Sequence, residues 1–277
     1  MITLQYVVQS QSRLDGRIYQ IGDEHMHNEL IHIGPLTIYG YGLMIAIGIL
    51  IAYKVVAYRA ASRQVELSHV SSLTFWSLLG GLVGAKLLFW ITQMNHIIQD
   101  PSMVLNFSEG FVVYGGIIGG MGVGYAYCKK KKINFLKYLD LFVPSLALAQ
   151  GFGRIGCLLA GCCYGEETEG WFGITFHDSE LAPNDVKLIP TQILESVLSF
   201  SIFFLLIYLA RRKRPTGLIA GLYLILYSLG RFIIEFFRGD IIRGQFGALA
   251  TSQWIALAVV LLTCIVFLTR TQKKMTT

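Results

Sequence analysis

The chain has 277 residues, of which 54% are hydrophobic and 14% are charged, and its mean hydropathy is +0.56. This composition excludes a soluble domain with a solvated surface, so the sequence predicts an integral membrane protein. The net charge of +6 does not indicate a nucleic-acid-binding protein, because the basic residues are spread over several loops.

Seven apolar stretches follow a polar N-terminal segment. Residues 1–35 lack the short apolar core and small-residue cleavage site of a signal peptide, so we expect the first span to act as the insertion signal. A helix that crosses the hydrocarbon needs roughly 20 apolar residues. Such stretches occur near residues 36–57, 72–93, 111–128, 137–160, 191–210, 216–238 and 250–269. They predict an all-α polytopic membrane protein with about seven transmembrane helices.

The charges of the connecting segments predict the orientation of these helices. Basic residues fall in every second loop and at the C-terminus, namely at Arg59, Arg63, 129–132, Lys137, 211–214, Arg270, Lys273 and Lys274. The intervening loops are poor in Lys and Arg, and cytoplasmic loops are enriched in them. We therefore expect an exterior N-terminal segment (1–35), a membrane domain (36–269) and a cytoplasmic tail (270–277).

The long exterior segment 161–189 carries Trp171, Phe172 and Phe176 among polar residues. It is expected either to cap the outer mouth of the helix bundle or to form an ordinary amphipathic surface loop.

Glycines cluster within the spans, as in Gly80-Gly81-x-x-Gly84 and Gly115-Gly116-x-x-Gly119-Gly120. Such glycines let helices approach closely in lipid, which favours a compact bundle around a central site, although packing alone also explains them.

Several charged side chains fall inside or at the ends of predicted spans, where each needs a partner or a function. They are Lys86, Arg154, Arg231, Glu235 and Arg238. Arg231 and Glu235 are four residues apart and are expected to pair on one helix face. The four basic groups exceed the acidic partners, which are Glu235 alone or Glu235 with Glu195 if Glu195 also faces inward. This excess predicts a central cavity for an anion such as a phospholipid headgroup, and the alternative is structural ion pairing with snorkelling side chains.

Cys157, Cys162 and Cys163 lie near the outer end of the fourth span. Three interpretations are open: buried small side chains, a disulfide in an oxidising exterior compartment, or a soft-metal or redox site that includes a catalytic thiol. No His/Cys pair at zinc-site spacing accompanies them.

Five motifs in chain order carry a family resemblance. They are Tyr41-Gly42-Leu43-Met44, Tyr114-Gly115-Gly116, Gly153-Arg154-Ile155-Gly156, Pro190-Thr191-Gln192 with Glu195, and the segment from Gly230-Arg231 to Arg238. Together they resemble the prolipoprotein diacylglyceryl transferases. The resemblance implies transfer of the sn-1,2-diacylglyceryl group from phosphatidylglycerol to the lipobox cysteine of a preprolipoprotein, in the bacterial cytoplasmic membrane. It implies seven spans, no metal and no other cofactor.

The resemblance also assigns roles to particular residues. Arg154 matches the arginine that binds phosphatidylglycerol, and the glycines of its signature are Gly153, Gly156 and Gly165. Arg231, Glu235 and Tyr41 match an essential arginine, a glutamate and an essential tyrosine. We expect Arg154 and Arg231 to bind the phosphate and Glu235 to orient Arg231, while Lys86 and Arg238 complete the lipid-binding set.

The sequence departs from the family pattern at the position of its proton acceptor. Tyr114 stands where the family carries His, Cys157 replaces Asn, Cys162 replaces an acidic residue, and Ile189 replaces a His. In one alternative, Tyr114 accepts or relays the proton of the acceptor thiol, with a neighbouring cation lowering its pKa. In the other, Tyr114 only hydrogen-bonds the lipid headgroup, and the nearby positive charges stabilise the thiolate. A related lipid transferase with another acceptor, an anion or lipid transporter, and a cysteine-based redox or metal protein are the alternative functions.

Overall fold

The computed structural model describes residues 29–33, 36–104, 110–177, 179, 181–240 and 245–275. Most of the predicted N-terminal segment 1–35 therefore lies outside the described residues. The chain first forms an antiparallel pair of strands, β1 (Glu29–Ile33) and β2 (Leu36–Tyr39). Eight α-helices follow within the described residues: α1 (Gly40–Ser62), α2 (Leu67–Thr92), α3 (Met94–Gln99), α4 (Val113–Lys130), α5 (Phe135–Leu159), α6 (Thr191–Leu209), α7 (Leu218–Ile234) and α8 (Thr251–Met275).

Short irregular elements connect these helices. Two 3₁₀ turns occupy Pro101–Val104 and Glu235–Phe237. Between α5 and α6, strand β3 (Ile174–Thr175) pairs with β4 (Lys187–Leu188), and before α8, strand β5 (Gln245–Phe246) pairs with β6 (Leu249–Ala250). The described residues of segment 161–189 therefore include a short antiparallel strand pair.

Six helices in the described part of the chain are long and apolar enough to cross a membrane. They correspond to α1, α2, α5, α6, α7 extended to Phe237, and most of α8. Helix α4 lies at the predicted third span but is not among them, because its 18 residues include six glycines and end in Lys129 and Lys130. Large apolar side chains on the helix surfaces, such as Leu50, Phe204 and Leu261, are exposed as expected of lipid-facing positions. The chain is a multi-pass membrane protein.

The described residues form two compact units, one with residues 60–138 and one with residues 29–59 and 139–275. In the first unit, α2 and α4 approach each other through glycines. A methyl group added at Gly84 would overlap the carbonyl oxygen of Gly115, and one added at Gly119 would overlap that of Gly80. The glycine clusters therefore serve close helix packing, as the sequence predicts.

The second unit has a core between α5, α6 and α7. Its buried apolar side chains are Val143, Ala147, Ile202, Leu206, Ala210, Ile219, Ala220 and Tyr223. At the start of α7, the Asp140 carboxylate accepts hydrogen bonds from the backbone N–H groups of Gly217 and Ala220, at 2.6 and 2.8 Å. A carboxylate at a helix N-terminus satisfies donors that have no partner within the helix. This contact holds the start of α7 against α5.

Candidate active site

One buried carboxylate joins three arginines in the second unit. Glu195 lies in the second turn of α6 and is 4% exposed. It forms ion pairs with Arg154 of α5 and Arg231 of α7, and its Oε1 lies 3.4 Å from Nη1 of Arg238. Charges at this depth in a protein are tolerated when each has a partner. Glu195 is therefore the centre of a network that links α5, α6 and the end of α7.

The predicted pair between Arg231 and Glu235 is confirmed. Nη2 of Arg231 lies 2.6 Å from Oε2 of Glu235, one helical turn further along the chain. At this point α7 ends and the backbone continues as the 3₁₀ turn that begins at Glu235. Arg231 is thus held between two carboxylates, Glu195 and Glu235, which restrict its rotation and fix the direction of its guanidinium plane.

Arg238 is held by a partner that the sequence did not suggest. Its Nε and Nη2 atoms donate to the two carboxylate oxygens of Asp240 at 2.9 and 2.8 Å, a bidentate arrangement, and its side chain is 2% exposed. Burial raises the pKa of Asp240, and the positive charge of Arg238 acts against that rise. Within the described part of this unit, three arginines meet three carboxylates, so the expected excess of cations is smaller than the sequence indicates.

The glycines of the predicted signature have different structural roles. Gly165 lies between two backbone segments, and a methyl group there would lie 2.6 Å from the carbonyl oxygens of both Ile189 and Phe237. Gly156 is buried against Tyr41 of α1, whose ring atom Cδ2 would lie 3.1 Å from such a methyl group. Gly153 has no described atom near the corresponding position. Gly165 and Gly156 therefore permit close backbone approach, whereas Gly153 leaves open space beside Arg154.

The three cysteines at the end of α5 form a cluster. The sulfur atoms of Cys157, Cys162 and Cys163 all lie within 4.8 Å of one another, and each residue is a buried free thiol. Side chains from the start of α6 hold the intervening turn, because Thr191 donates to the carbonyl oxygen of Cys163 at 2.6 Å and Gln192 to that of Cys162 at 2.9 Å. The motif Pro190-Thr191-Gln192 thus positions the cysteine turn.

The Cys163 thiol lies in an environment that favours its ionised form. Hydrogen bonds from the thiols of Cys157 and Cys162 lower the pKa of Cys163, and the positive charges of Arg238 and Arg154 act in the same direction. The same thiol contacts raise the pKa of Cys162. The cluster therefore shares its protons unequally, with Cys163 as the most acidic member.

Two predicted site residues belong to the first unit. Lys86 is buried, and its Nζ lies 5.2 Å from the ring centroid of Phe89 and 5.3 Å from that of Phe111. Both distances are within the range of a cation–π interaction. Tyr114 lies in the first turn of α4 and is partly exposed. The other eight predicted residues lie in the second unit, where Arg154, Arg231, Glu235 and Arg238 form one ion-pair network.

The sequence predicts a role for Glu195 only if its side chain faces inward, and it does not indicate Asp240 as a partner of Arg238. A signal for Glu195 was present, because it is the one charged residue in the otherwise apolar sequence of α6. A charge in such a helix indicates a buried partner on another helix. Asp240 follows Arg238 by two residues, a spacing that has no preferred contact in a helix and gives no signal.

The comparison with known proteins places the chain in a family. A family model described as prolipoprotein diacylglyceryl transferase matches residues 28–269, which include all the residues of this network. The chain belongs to the prolipoprotein diacylglyceryl transferase family. Relatives named phosphatidylglycerol–prolipoprotein diacylglyceryl transferase include one from Clostridium tetani, which is 45% identical over 86% of this chain and 95% of its own length.

Other relatives extend the similarity to more distant sequences. A protein of Clostridium perfringens with the same name and the number 2 is 44% identical over 82% of this chain and 88% of its own length. One from Finegoldia magna is 32% identical over the same shares. The similarity therefore covers the membrane domain, including both units of the structure.

Proposed function

We propose that this chain transfers the sn-1,2-diacylglyceryl group of phosphatidylglycerol to the lipobox cysteine thiol of a preprolipoprotein. Family membership and the names of the relatives support this activity. The observation that carries it in the structure is the Glu195 network, which fixes three guanidinium groups within one bundle. Arginine suits a phosphate because it donates two parallel hydrogen bonds and keeps its charge when desolvated.

The exposures of the three arginines assign different roles to them. Arg154 is the most accessible, with 22% of its side chain exposed against 14% for Arg231 and 2% for Arg238. Glu195 contacts Arg154 through Nε, which leaves the Nη1 and Nη2 edge of the guanidinium for a ligand. Arg154, with Arg231 beside it, binds the lipid phosphate in this proposal. Arg238 is a positioning residue, because its Nε and Nη2 atoms already donate to the Asp240 carboxylate.

The arrangement fits a nucleophilic displacement at carbon. The acceptor thiolate attacks the glyceryl carbon that carries the phosphate, the carbon–oxygen bond breaks, and its electron pair leaves with glycerol phosphate. Arginines stabilise this transition state by meeting the charge that develops on the departing phosphate oxygen. Glu195 and Glu235 hold the guanidinium groups in place before the reaction begins. Tyr41, packed against Gly156, borders the same site.

The same proposal includes the finer topology. Helix α4 is the third of seven spans, the N-terminus lies outside, and the C-terminus lies in the cytoplasm of a bacterium. The folded segment 161–189 then caps the exterior end of the site. A backbone hydrogen bond of 3.0 Å from Glu166 to the carbonyl oxygen of Phe237, next to Arg238, supports this placement within the second unit.

The test is a transfer assay in nanodiscs that contain phosphatidylglycerol and a lipobox peptide. Wild type is expected to add a diacylglyceryl mass to the peptide cysteine and to release glycerol phosphate. Arg154→Ala is expected to lose at least about 100-fold in rate, as when a main transition-state contact is removed. Arg212→Ala, a change at an exposed loop arginine, is the matched control.

One outcome would favour a different acceptor. If phosphatidylglycerol is consumed while the lipobox peptide stays unmodified, the departures at Tyr114, Cys157 and Cys162 have changed the acceptor rather than the lipid donor. If neither the lipid nor the peptide changes in a well-folded preparation, the transferase proposal is wrong.

A further inference from the structure

Three buried cysteine thiols lie close enough together to bind one metal ion. The sulfur atoms of Cys157, Cys162 and Cys163 lie within 4.8 Å of one another. Zinc–sulfur bonds of about 2.3 Å place sulfur atoms about 3.8 Å apart in a tetrahedral complex. Small rotations of the side chains therefore bring all three sulfur atoms to bonding distance from one ion. A tetrahedral ion so bound keeps a fourth position for another ligand.

The turn that carries the cysteines has an uncommon backbone conformation. Gly161 and Cys163 both have a φ of 64°, in the left-handed region, which is unfavourable for a residue with a side chain. The N–H of Cys162 donates to the carbonyl oxygen of Cys157 at 3.1 Å and closes the turn on the end of α5. Strained residues of this kind persist where the surroundings fix them, which is common at functional sites.

Outer contacts fix the turn in the same way that they fix known metal ligands. Thr191 and Gln192, both almost fully buried, donate to the carbonyl oxygens of Cys163 and Cys162. These contacts hold the main chain that carries two of the three thiols. The turn with Cys162 and Cys163 is therefore anchored to the start of α6.

The charges around the cluster suit an anionic complex. A Zn²⁺ ion with three thiolates carries a net charge of −1, and a fourth thiolate makes it −2 by the same count. The guanidinium groups of Arg154 and Arg238 both interact electrostatically with Cys163. Arg154 also lies one helical turn before Cys157 on α5. These positive charges stabilise thiolates bound to a metal.

We propose that Cys157, Cys162 and Cys163 bind one Zn²⁺ ion whose fourth ligand is the thiol of the acceptor cysteine. Thiolate ligands select Zn²⁺ or Cu⁺ among biological metals, and Zn²⁺ is the one that commonly takes four sulfur ligands. This inference rests on the proposed transferase function and departs from the expectation that the chain needs no metal.

Zinc in this position would generate the acceptor thiolate without a general base on the protein. A thiol bound to zinc loses its proton to water, so the nucleophile forms without a protein group in the place of the family His. Its sulfur then forms a bond to the glyceryl carbon, and the electron pair of the broken carbon–oxygen bond leaves on glycerol phosphate. The product is a thioether, which is a weaker ligand than a thiolate and dissociates from the ion. This mechanism does not require Tyr114 as the proton acceptor.

The first test is the metal content of the full chain, purified in detergent under reducing conditions and supplied with Zn²⁺. Elemental analysis is expected to find about one zinc per chain in wild type and little in Cys163→Ser. Cys264→Ser makes the same chemical change outside the cluster and should keep its zinc. A well-folded wild type without zinc would overturn the proposal, whatever the variants do.

The second test asks whether the acceptor thiol is the fourth ligand. Co²⁺ in place of zinc reports its ligands through sulfur charge-transfer and visible d–d absorption bands. A lipobox peptide is expected to shift these bands, while the same peptide with serine in place of cysteine is expected to leave them unchanged. Equal spectra with both peptides would exclude the thiol as ligand.

The activity of the same preparations separates this inference from the proposed function. If chelator-treated, zinc-free protein transfers the lipid at the wild-type rate, the inference is wrong and the transferase function stands. If the cobalt bands respond only to the cysteine peptide but no lipid is transferred, the thiol site stands and the proposed function is wrong.

Discussion

At the scale of single residues, Glu195 is the carboxylate that joins three arginines of the site. It contacts Arg154, Arg231 and Arg238, which come from three different segments. A carboxylate shared in this way cannot be replaced by a neutral group without leaving buried guanidinium charges unbalanced. Glu195 therefore contributes to the stability of the bundle, and in the proposed mechanism it also holds the arginines that bind the phosphate.

Replacing Glu195 is expected to lower both stability and activity. Glu195→Gln keeps the shape but removes the charge, which should cost about 3 kcal/mol of unfolding free energy, as for other broken buried pairs. The transfer rate should fall because the three guanidinium groups lose their common anchor. Thermal unfolding in detergent and the transfer assay measure the two effects, with the exposed Glu169→Gln as control. An unchanged melting temperature would contradict the role given to Glu195.

Gly165 offers a second prediction at this scale. In Gly165→Ala, the added methyl group meets the carbonyl oxygens of Ile189 and Phe237, both at 2.6 Å, so the segment 161–189 should detach from the end of α7. We expect a lower melting temperature and little transfer activity. Gly122→Ala meets no described atom within 4 Å and should be neutral or slightly stabilising. Equal stability of the two variants would show that the close approach at Gly165 is unimportant.

At the scale of elements, sequence patterns locate the helices better than they locate helix contacts. The predicted span 191–210 matches α6 (Thr191–Leu209) closely, and 137–160 matches α5 (Phe135–Leu159). The span 72–93 begins several residues after α2 does, because Ser68, His69 and Ser71 lower the hydropathy of the first turns of that helix. Hydropathy marks the part of a helix in lipid, whereas hydrogen bonding sets where the helix ends.

Contacts within one helix could be predicted from the sequence, whereas contacts between helices could not. Arg231 and Glu235 pair across one helical turn, a contact that spacing alone predicts. The contacts of Glu195 join segments that are distant in sequence. The spacing of residues within one helix does not show which other helix a side chain contacts. Asp240 lies in an irregular segment, where spacing gives no direction to a side chain.

The packing of α2 on α4 gives a prediction for an element. Gly84→Ala places a methyl group against the carbonyl oxygen of Gly115, and in lipid no hydrophobic force compensates for the separation of the helices. We expect a lower melting temperature and poorer recovery of monodisperse protein. Gly81→Ala lies on the same helix with its nearest neighbour at 3.4 Å, an ordinary contact, and is the matched control. If both variants behave alike, the glycine contact does not hold the two helices together.

At the scale of the whole molecule, composition and loop charge account for most of what the sequence reveals. They predict a multi-pass membrane protein, and six helices among the described residues meet the requirements of length and hydropathy. They do not divide the chain into its two units, because the division depends on which helices touch. The number of spans and the orientation stay predictions.

Labelling of single cysteines tests that orientation. Trp171 is 91% exposed in the segment 161–189, so Trp171→Cys is expected to react with a membrane-impermeant maleimide in intact cells. Lys131→Cys, in the basic loop after α4, should react only after the membrane is permeabilised. The unmodified chain gives the background of its own cysteines. Labelling of Lys131→Cys in intact cells would reverse the proposed topology.

The shared carboxylate also has a consequence for how the chain is made. Arg154 leaves the ribosome before α6 and α7 exist, so its charge has no partner when α5 first meets the membrane. A lone arginine is unfavourable in lipid, whereas the assembled ion-pair network is not. We therefore expect α5 to stay at the insertion machinery until α6 arrives with Glu195. The order of synthesis, and not only the final packing, then decides which helices enter the bilayer together.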